Sequence, residues 1–410
     1  MPPSTTPDRA VTAARNATLA VFGLCGLVTA SWVSRIPDIR EALSLSPSEL
    51  SHLILAISLG SVLGLPTAGR IVQRIGLSLA VVLAGALCLP ALCVCAVLIT
   101  ARLDRVWLLP FLLCYGIGFG IWDVAQNIEG SLVERQLGRS IMPWFHAAFS
   151  GGTVLGALVG AGLVWLGVSV AVHIVATCVL AAVLLLLCLP AFVAEPTERT
   201  PPAAPDSDGT REPGPARSRS AWTEPRTLLI GVMALAASFT EGTANDWIAV
   251  AFVDGFGLPN AVGVIATAVF LTFMTAGRML GTSLLDRYGR VLVLRCLFAS
   301  TILGCVMVVF GTAPVAFLGA AIWGLGASLG FPVGMSAAAD DPSRAAARIS
   351  VVSTIGYLAF LGGPVLLGYL GDHVGVLRAL LLVGAVSALA MFAVPAAREP
   401  RRPGAAVSPR

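Results

Sequence analysis

The sequence contains no lysine; all 26 of its basic residues are arginine. A Walker A loop needs a lysine to reach nucleotide phosphates, so the common ATP-driven engine is excluded within this chain. Charged residues of every kind make up only 12%, against about 25% in soluble domains. Histidine occurs four times and never as HExxH, which excludes that metalloprotease arrangement. The nine cysteines (25, 88, 93, 95, 114, 178, 188, 296 and 305) lie inside apolar runs, without a CxxC pair or a histidine at ligand spacing. They read as small buried apolar side chains, and neither a zinc site, a disulfide framework nor a cofactor is expected. The net charge of +4 carries no nucleic-acid signal. What matters is where the arginines stand.

What the chain does have is apolar length: 57% of its 410 residues are hydrophobic. A membrane helix needs about 20 such residues. Runs of that kind cover 16–36, 50–69, 78–99, 106–131, 145–167 and 170–193, and resume at 227–252, 260–282, 291–311, 314–337, 350–370 and 375–396. The expectation is an all-α integral membrane protein of twelve spans in two sets of six. The first run, Ala17 to Val33, exceeds the roughly 7–15 residues of a signal-peptide core, so it reads as a retained span. Residues 15–194 and 227–397 form the two bundles. The interruption at 195–226, rich in Pro, Ser and charge, reads as a disordered linker, and 1–14 and 398–410 as tails.

With the N-terminus inside, twenty arginines fall on inner segments and five (Arg35, Arg40, Arg102, Arg105 and Arg378) on outer ones, with Arg278 left within span eight. The positive-inside rule then predicts cytoplasmic termini and linker in a cytoplasmic (inner) membrane. The halves also repeat. Gly76 answers Gly289 at an offset of 213, YGIG at 115–118 answers WGLG at 323–326 at 208, and Gly151-Gly152 answers Gly362-Gly363 at 211. A duplicated six-helix unit with a site at its interface is a transporter architecture.

Two inner turns carry related motifs. Gly69-x-x-x-Gln73-Arg74-x-Gly76 follows span two, and Asp286-Arg287-Tyr288-Gly289-Arg290 follows span eight. Here the chain resembles the major facilitator superfamily (MFS), whose loop signature is G-x-x-x-D-R-x-G-R. The second copy matches at Asp286, Arg287, Gly289 and Arg290, with Thr282 in place of the first glycine. The first copy matches at Gly69, Arg74 and Gly76, with Gln73 in place of the acid and Leu77 in place of the last basic residue, which weakens the latch expected there. The resemblance covers residues 12–397 and implies the MFS fold, with spans one, four, seven and ten around a central cavity and these motif residues in conformational gating.

Polar residues fall where that cavity is implied. Tyr115 to Arg135 is a helical stretch that carries Asp123, Asn127, Gly130 and Glu134 on one stripe. An ionised carboxylate facing lipid at mid-membrane costs about 2.5–3.5 kcal/mol, so Asp123 must face protein or water. Span seven carries Glu241, Asn245, Asp246 and Trp247, and no unpaired arginine is expected at the depth of Glu241. Asp123, Asn127, Glu241, Asn245 and Trp247 are the cavity candidates; Asp123, Glu241 and His146 are the candidates for proton coupling. Arg35 and Asp246, of opposite halves, could form an outer gate, or each could pair within its own half. The segment Trp122 to Asn127 is similar to span four of the fucose:proton symporter group, where an acid and an Asn four residues later serve coupling and sugar binding. That group's acid in span one is missing here, so its specificity does not carry over.

Other apparent motifs read as packing. GASLG (326–330) fits a nucleophile elbow in letters only, since it lies within a membrane helix. GIGFG (116–120) and GGTVLGALVG (151–160) fit small-residue contact between helices. The chain therefore reads as a non-enzymatic, monomeric, proton-coupled transporter of a small polar, sugar-like solute, surrounded by lipid. A drug:proton exporter on the same fold is the alternative, although span five lacks the G-P pair usual there, and a non-transporting receptor comes third.

Overall fold

A computed structural model describes residues 9–138, 141–192, 220–341 and 344–399. Fifteen α-helices run through the described residues: α1 (Arg9–Val33), α2 (Ile36–Ala42), α3 (Pro47–Ile75), α4 (Leu77–Thr100), α5 (Leu109–Leu137), α6 (Met142–Trp165), α7 (Val170–Cys188), α8 (Pro225–Phe256), α9 (Asn260–Tyr288), α10 (Arg290–Phe310), α11 (Ala313–Ala327), α12 (Gly330–Ala338), α13 (Ala345–Val374), α14 (Val376–Ala379) and α15 (Leu381–Ala393). They make twelve segments long and apolar enough to cross a membrane. Span one is α1 continued by α2, span ten is α11 and α12, and span twelve is α14 and α15. The protein is a multi-pass, all-α membrane protein.

Local sequence sets these limits. Ser46 accepts from the Glu49 amide while the Glu49 carboxylate accepts from the Ser46 amide, and Pro47 occupies the first helical position of α3. That reciprocal cap and the missing proline donor fix the start of span two. Gly76 (φ +80) and Gly289 (φ +76) make the turns out of spans two and eight. Both turns need a positive φ that side chains resist, so the matching loop motifs have matching backbone. Trp107 and Trp165 are exposed near one face of the bundle, Trp144 and Trp222 near the other, as amphipathic rings at two membrane interfaces would be.

Each half is assembled alike. In the first, α1 packs on α6, α3 on α5, α4 on α5 and α4 on α7; in the second, α8 packs on α13, α9 on α11, α10 on α11 and α10 on α15. The duplication read from sequence offsets is therefore a repeat of helix pairs. Backbones touch where glycine permits: a Cβ on Gly116 would lie 2.1 Å from the Ile57 carbonyl oxygen, and one on Gly60 would lie 2.2 Å from that of Leu113. Close approach of this kind replaces the hydrophobic drive that lipid cannot supply.

Two boundaries differ from expectation. α1 starts at Arg9, inside the expected tail. Most of the expected linker, 195–219, lies outside the described residues, but 220–226 does not: Ala221–Thr223 forms a 3-10 turn and Pro225 opens α8. Charge fixes this end. Glu224 pairs with Arg344 and Arg348, and Arg226 donates to Asp340 at 2.7 Å.

Candidate functional site

The halves are clasped at the face that carries the loops after α2 and α8. There Asn260 donates to Asp38 and to Glu41, both at 2.8 Å, Arg40 pairs with Asp254, and the Ser48 amide donates to Asp372 at 3.4 Å. Helix α3 also packs on α13, and α6 on α9, across the two halves. A Cβ on Gly368 of α13 would lie 2.6 Å from that of Ser51 on α3, so this contact is nearly backbone on backbone.

Behind the clasp lies a cavity of about 330 Å³, at the lower end of the 300–1,000 Å³ usual for small-ligand sites. Its lining comes from α1, α3, α5 and α6 of one half and α8, α9 and α13 of the other. Span ten, expected to line it, contributes no lining residue among those described. Its one polar side chain in that region, Ser328, turns back to donate to the Leu325 carbonyl at 2.7 Å, and a Cβ on Gly324 would meet the Phe270 carbonyl oxygen at 2.3 Å. Spans two, five, eight and eleven all line the wall, and they are the helices that pack across the two halves.

Asp123 lines the cavity. It accepts from Gln126 Nε2 at 3.2 Å and from Asn127 Nδ2 at 3.3 Å, and Asn127 also donates to the Asp123 carbonyl at 2.8 Å. Asn127 itself is not among the lining residues; its i, i+4 spacing places it one turn further along the same stripe. Glu134, on that stripe too, accepts from the Ile141 and Met142 amides at 2.7 and 2.8 Å and so holds the start of α6. His146 is in electrostatic reach of Asp123 and stacks edge-on to Phe22 at 5.5 Å.

Glu241, Asn245 and Asp246 line the cavity from α8, but Trp247 does not. Only 1% of Trp247 is exposed, because its position turns it from the cavity into the apolar core. A larger correction concerns Glu241. Arg278 of α9 reaches it, Nη2 to Oε2 at 2.7 Å, and donates from Nε to the Ser328 carbonyl at 3.2 Å. That carbonyl stands at the break between α11 and α12. A helix break frees carbonyls from their ladder partners, and here the freed oxygen orients the guanidinium that holds Glu241. The sequence carried the signals, a lone arginine inside a span and a Gly-Ser pair in a helix. Their meeting depends on the approach of α9 to α11.

Arg35 and Asp246 do not meet. Arg35, 1% exposed, donates to Asp38 at 2.6 Å and to His173 Nδ1 at 2.9 Å, both in its own half. Asp246 has no hydrogen-bond partner among the described residues. The cross-half closure instead uses Arg40, Asp254 and Asn260, none of them a gating candidate by sequence. Of the motif residues, Arg290 ties the start of α10 to Asp340 at 2.8 Å and to Ser336 at 3.0 Å. Arg287 lies over the Tyr288 ring at 5.2 Å. Asp286 and Arg74 make no ion pair among the described residues, and Gly69 stands in open space. Leu77, which replaces the basic residue in the first copy, is buried.

Known proteins share this architecture. An uncharacterized MFS-type transporter of Yersinia pestis is 29% identical over 384 residues, covering 91% of this chain and 94% of its own length. An uncharacterized transporter of Sinorhizobium fredii is 30% identical over 382 residues, covering 93% and 97%. Among solved structures, the nucleoside transporter NupG superposes with a TM-score of 0.73 at 13% identity, over 94% of this chain and 98% of that one. A D-xylose-proton symporter gives 0.69 at 16%, over 94% and 96%. Likeness at such identities speaks for the fold alone. The family described as Major Facilitator Superfamily matches residues 17–265 and 248–410. The chain therefore belongs to the Major Facilitator Superfamily of membrane transporters.

Proposed function

We propose that the protein is a proton-coupled secondary transporter that carries a small polar solute across the cytoplasmic membrane by alternating access. The observation that carries this reading is the cavity itself: it lies between two duplicated halves, is clasped at one face, and has carboxyls from both halves on its wall. The arginine distribution supports placing the termini in the cytoplasm, which makes the clasped face the outer one. Relatives of the fold that carry a nucleoside and a sugar with a proton support a small polar solute.

In this reading Asp123 and Glu241 carry the proton, with His146 beside Asp123 as a third candidate. A carboxyl facing a cavity exchanges its proton as its hydration changes with conformation. Protonation of Glu241 would release Arg278, so coupling and helix position would be joined at one ion pair. Asn245 on the wall and Asn127 behind Asp123 supply amide partners for solute hydroxyls. Asp123→Asn and Glu241→Gln fix each acid neutral at nearly constant size. One of them should abolish uphill accumulation in proteoliposomes while preserving equilibrative exchange. Uphill accumulation by both variants along an imposed proton gradient would remove both acids from coupling. Orientation has its own test: Ser44→Cys should react with an impermeant thiol reagent on intact cells and Ser220→Cys should not, and equal labelling would refute the assigned topology.

A further inference from the structure

Three carboxyls (Asp123, Glu241 and Asp246) and one guanidinium (Arg278) line the cavity. Glu241 and Arg278 neutralise each other at 2.7 Å. Asp123 has only amide partners, and Asp246 has none among the described residues. The other group in electrostatic reach, His146, faces Asp123 and Arg278. Around these carboxyls stand six aromatic rings: Trp32, Tyr115, Phe119, Phe149, Tyr357 and Phe360.

Accepting groups that no arginine neutralises, enclosed by ring faces, are what an organic cation requires. Carboxylates supply charge-assisted acceptors, and ring faces attract a cation through their quadrupole. A solute carboxylate would instead have to displace Glu241 from Arg278 beside two further acids. We propose that the transported solute is a small organic cation, its ammonium group held by Asp246, the wall carboxyl with no hydrogen-bond partner among the described residues. The assignment rests on reading this cavity as the transport site.

Binding of matched probes to the purified full chain in zwitterionic nanodiscs tests it. Benzylamine, benzyl alcohol and benzoate form one set; glucosamine, glucose and glucuronate form another. In at least one set the ammonium member should bind tenfold or more tightly than its neutral and anionic counterparts. Asp246→Asn should weaken it about tenfold. Asp246→Glu should keep the preference, and Asp104→Asn, at an exposed turn, should change nothing. Absence of an ammonium preference in both sets, silence included, overturns the proposal, as does full affinity in Asp246→Asn. A separate arm isolates the underlying reading. Ser61→Cys, on the cavity wall, should be labelled by an impermeant thiol reagent from either face of the membrane. Labelling from both faces without an ammonium preference sinks the ligand assignment alone. Labelling from one face only sinks the transport reading.

Discussion

Removing Arg278 should destabilise the second half, and should do so through Glu241. At a charge separation of about 4 Å, attraction lies between about 1 kcal/mol in water and about 4 kcal/mol at the effective permittivity near a protein surface. The two side chains are 29% and 25% exposed, between those limits, so a coupling of about 2 kcal/mol is expected. Arg278→Met also strands the Ser328 carbonyl at the helix break, and an unsatisfied buried acceptor adds about 1–3 kcal/mol. Glu241→Gln retains an acceptor and should be the milder change. A double-mutant cycle read by SDS-titrated unfolding in mixed micelles separates the contributions. The double variant should lie close to Arg278→Met alone, because the second change removes a partner already lost. Additivity within about 0.5 kcal/mol would refute the pair as an energetic unit. Equal losses in the two single variants would refute the part assigned to the Ser328 carbonyl.

Further outcomes follow from the same geometry. Arg40→Ala combined with Asn260→Ala removes three cross-half links, each worth up to about 1 kcal/mol; labelling of Ser61→Cys from the outer face should rise about tenfold, and an unchanged rate would show that the clasp is held elsewhere. Gly116→Ala drives a methyl to 2.1 Å from the Ile57 oxygen and should lower stability by about 1–3 kcal/mol, whereas Gly162→Ala, with open space around it, should not; similar melting temperatures for both would contradict the α3–α5 contact. Glu224 predicts a pH effect. Loss of hydration favours its protonated form, but the Thr227 hydroxyl, Arg348 and Arg344 outweigh this and hold the carboxyl below its ordinary value. Its stabilisation is complete above about pH 4.5 and declines as pH falls through the lowered folded value, so Glu224→Gln should flatten the acid limb of thermal stability and leave the shape near pH 7 unchanged.

Twelve spans and their duplication were legible because the lipid environment imposes run length, and the runs recur at a nearly constant offset. Asp123 was legible as well, since a carboxyl within an apolar run must face something polar. Its partner Asn127 followed from helical spacing, a local relation. What sequence could not supply was contact between distant elements. Arg278 stood visibly alone in span eight, yet its partners come from α8 and from a backbone carbonyl, and no side-chain pattern announces a carbonyl. Arg35 and Asp246 had the right charges and opposite halves, but for Arg35 the own-half pairing that the sequence equally allows is the one realised, with Asp38 three residues away. Trp247 directly follows the cavity-lining Asp246, and the next position on a helix points about a quarter-turn elsewhere. The clasp is not legible, because Arg40, Asp254 and Asn260 look like ordinary polarity at helix ends until α2 and the α8–α9 turn are laid side by side.

The seam between α3 and α13 has a mechanical consequence. Gly368 sits against Ser51 and Gly371 against Pro47, where a Cβ would lie 2.6 and 2.8 Å from the opposing side-chain carbon. Contacts this short have no flexible side chain to stretch as the helices part. Dispersion between such surfaces is short-ranged: a gap of about 0.5–1 Å forfeits a quarter to a half of the attraction. The seam therefore behaves more as a snap than as a spring, its adhesion whole when seated and as much as half lost after a displacement of about 1 Å. In the proposed transport cycle, half-parted arrangements would forfeit much of this seam, which favours abrupt transfer of the two bundles between well-separated positions.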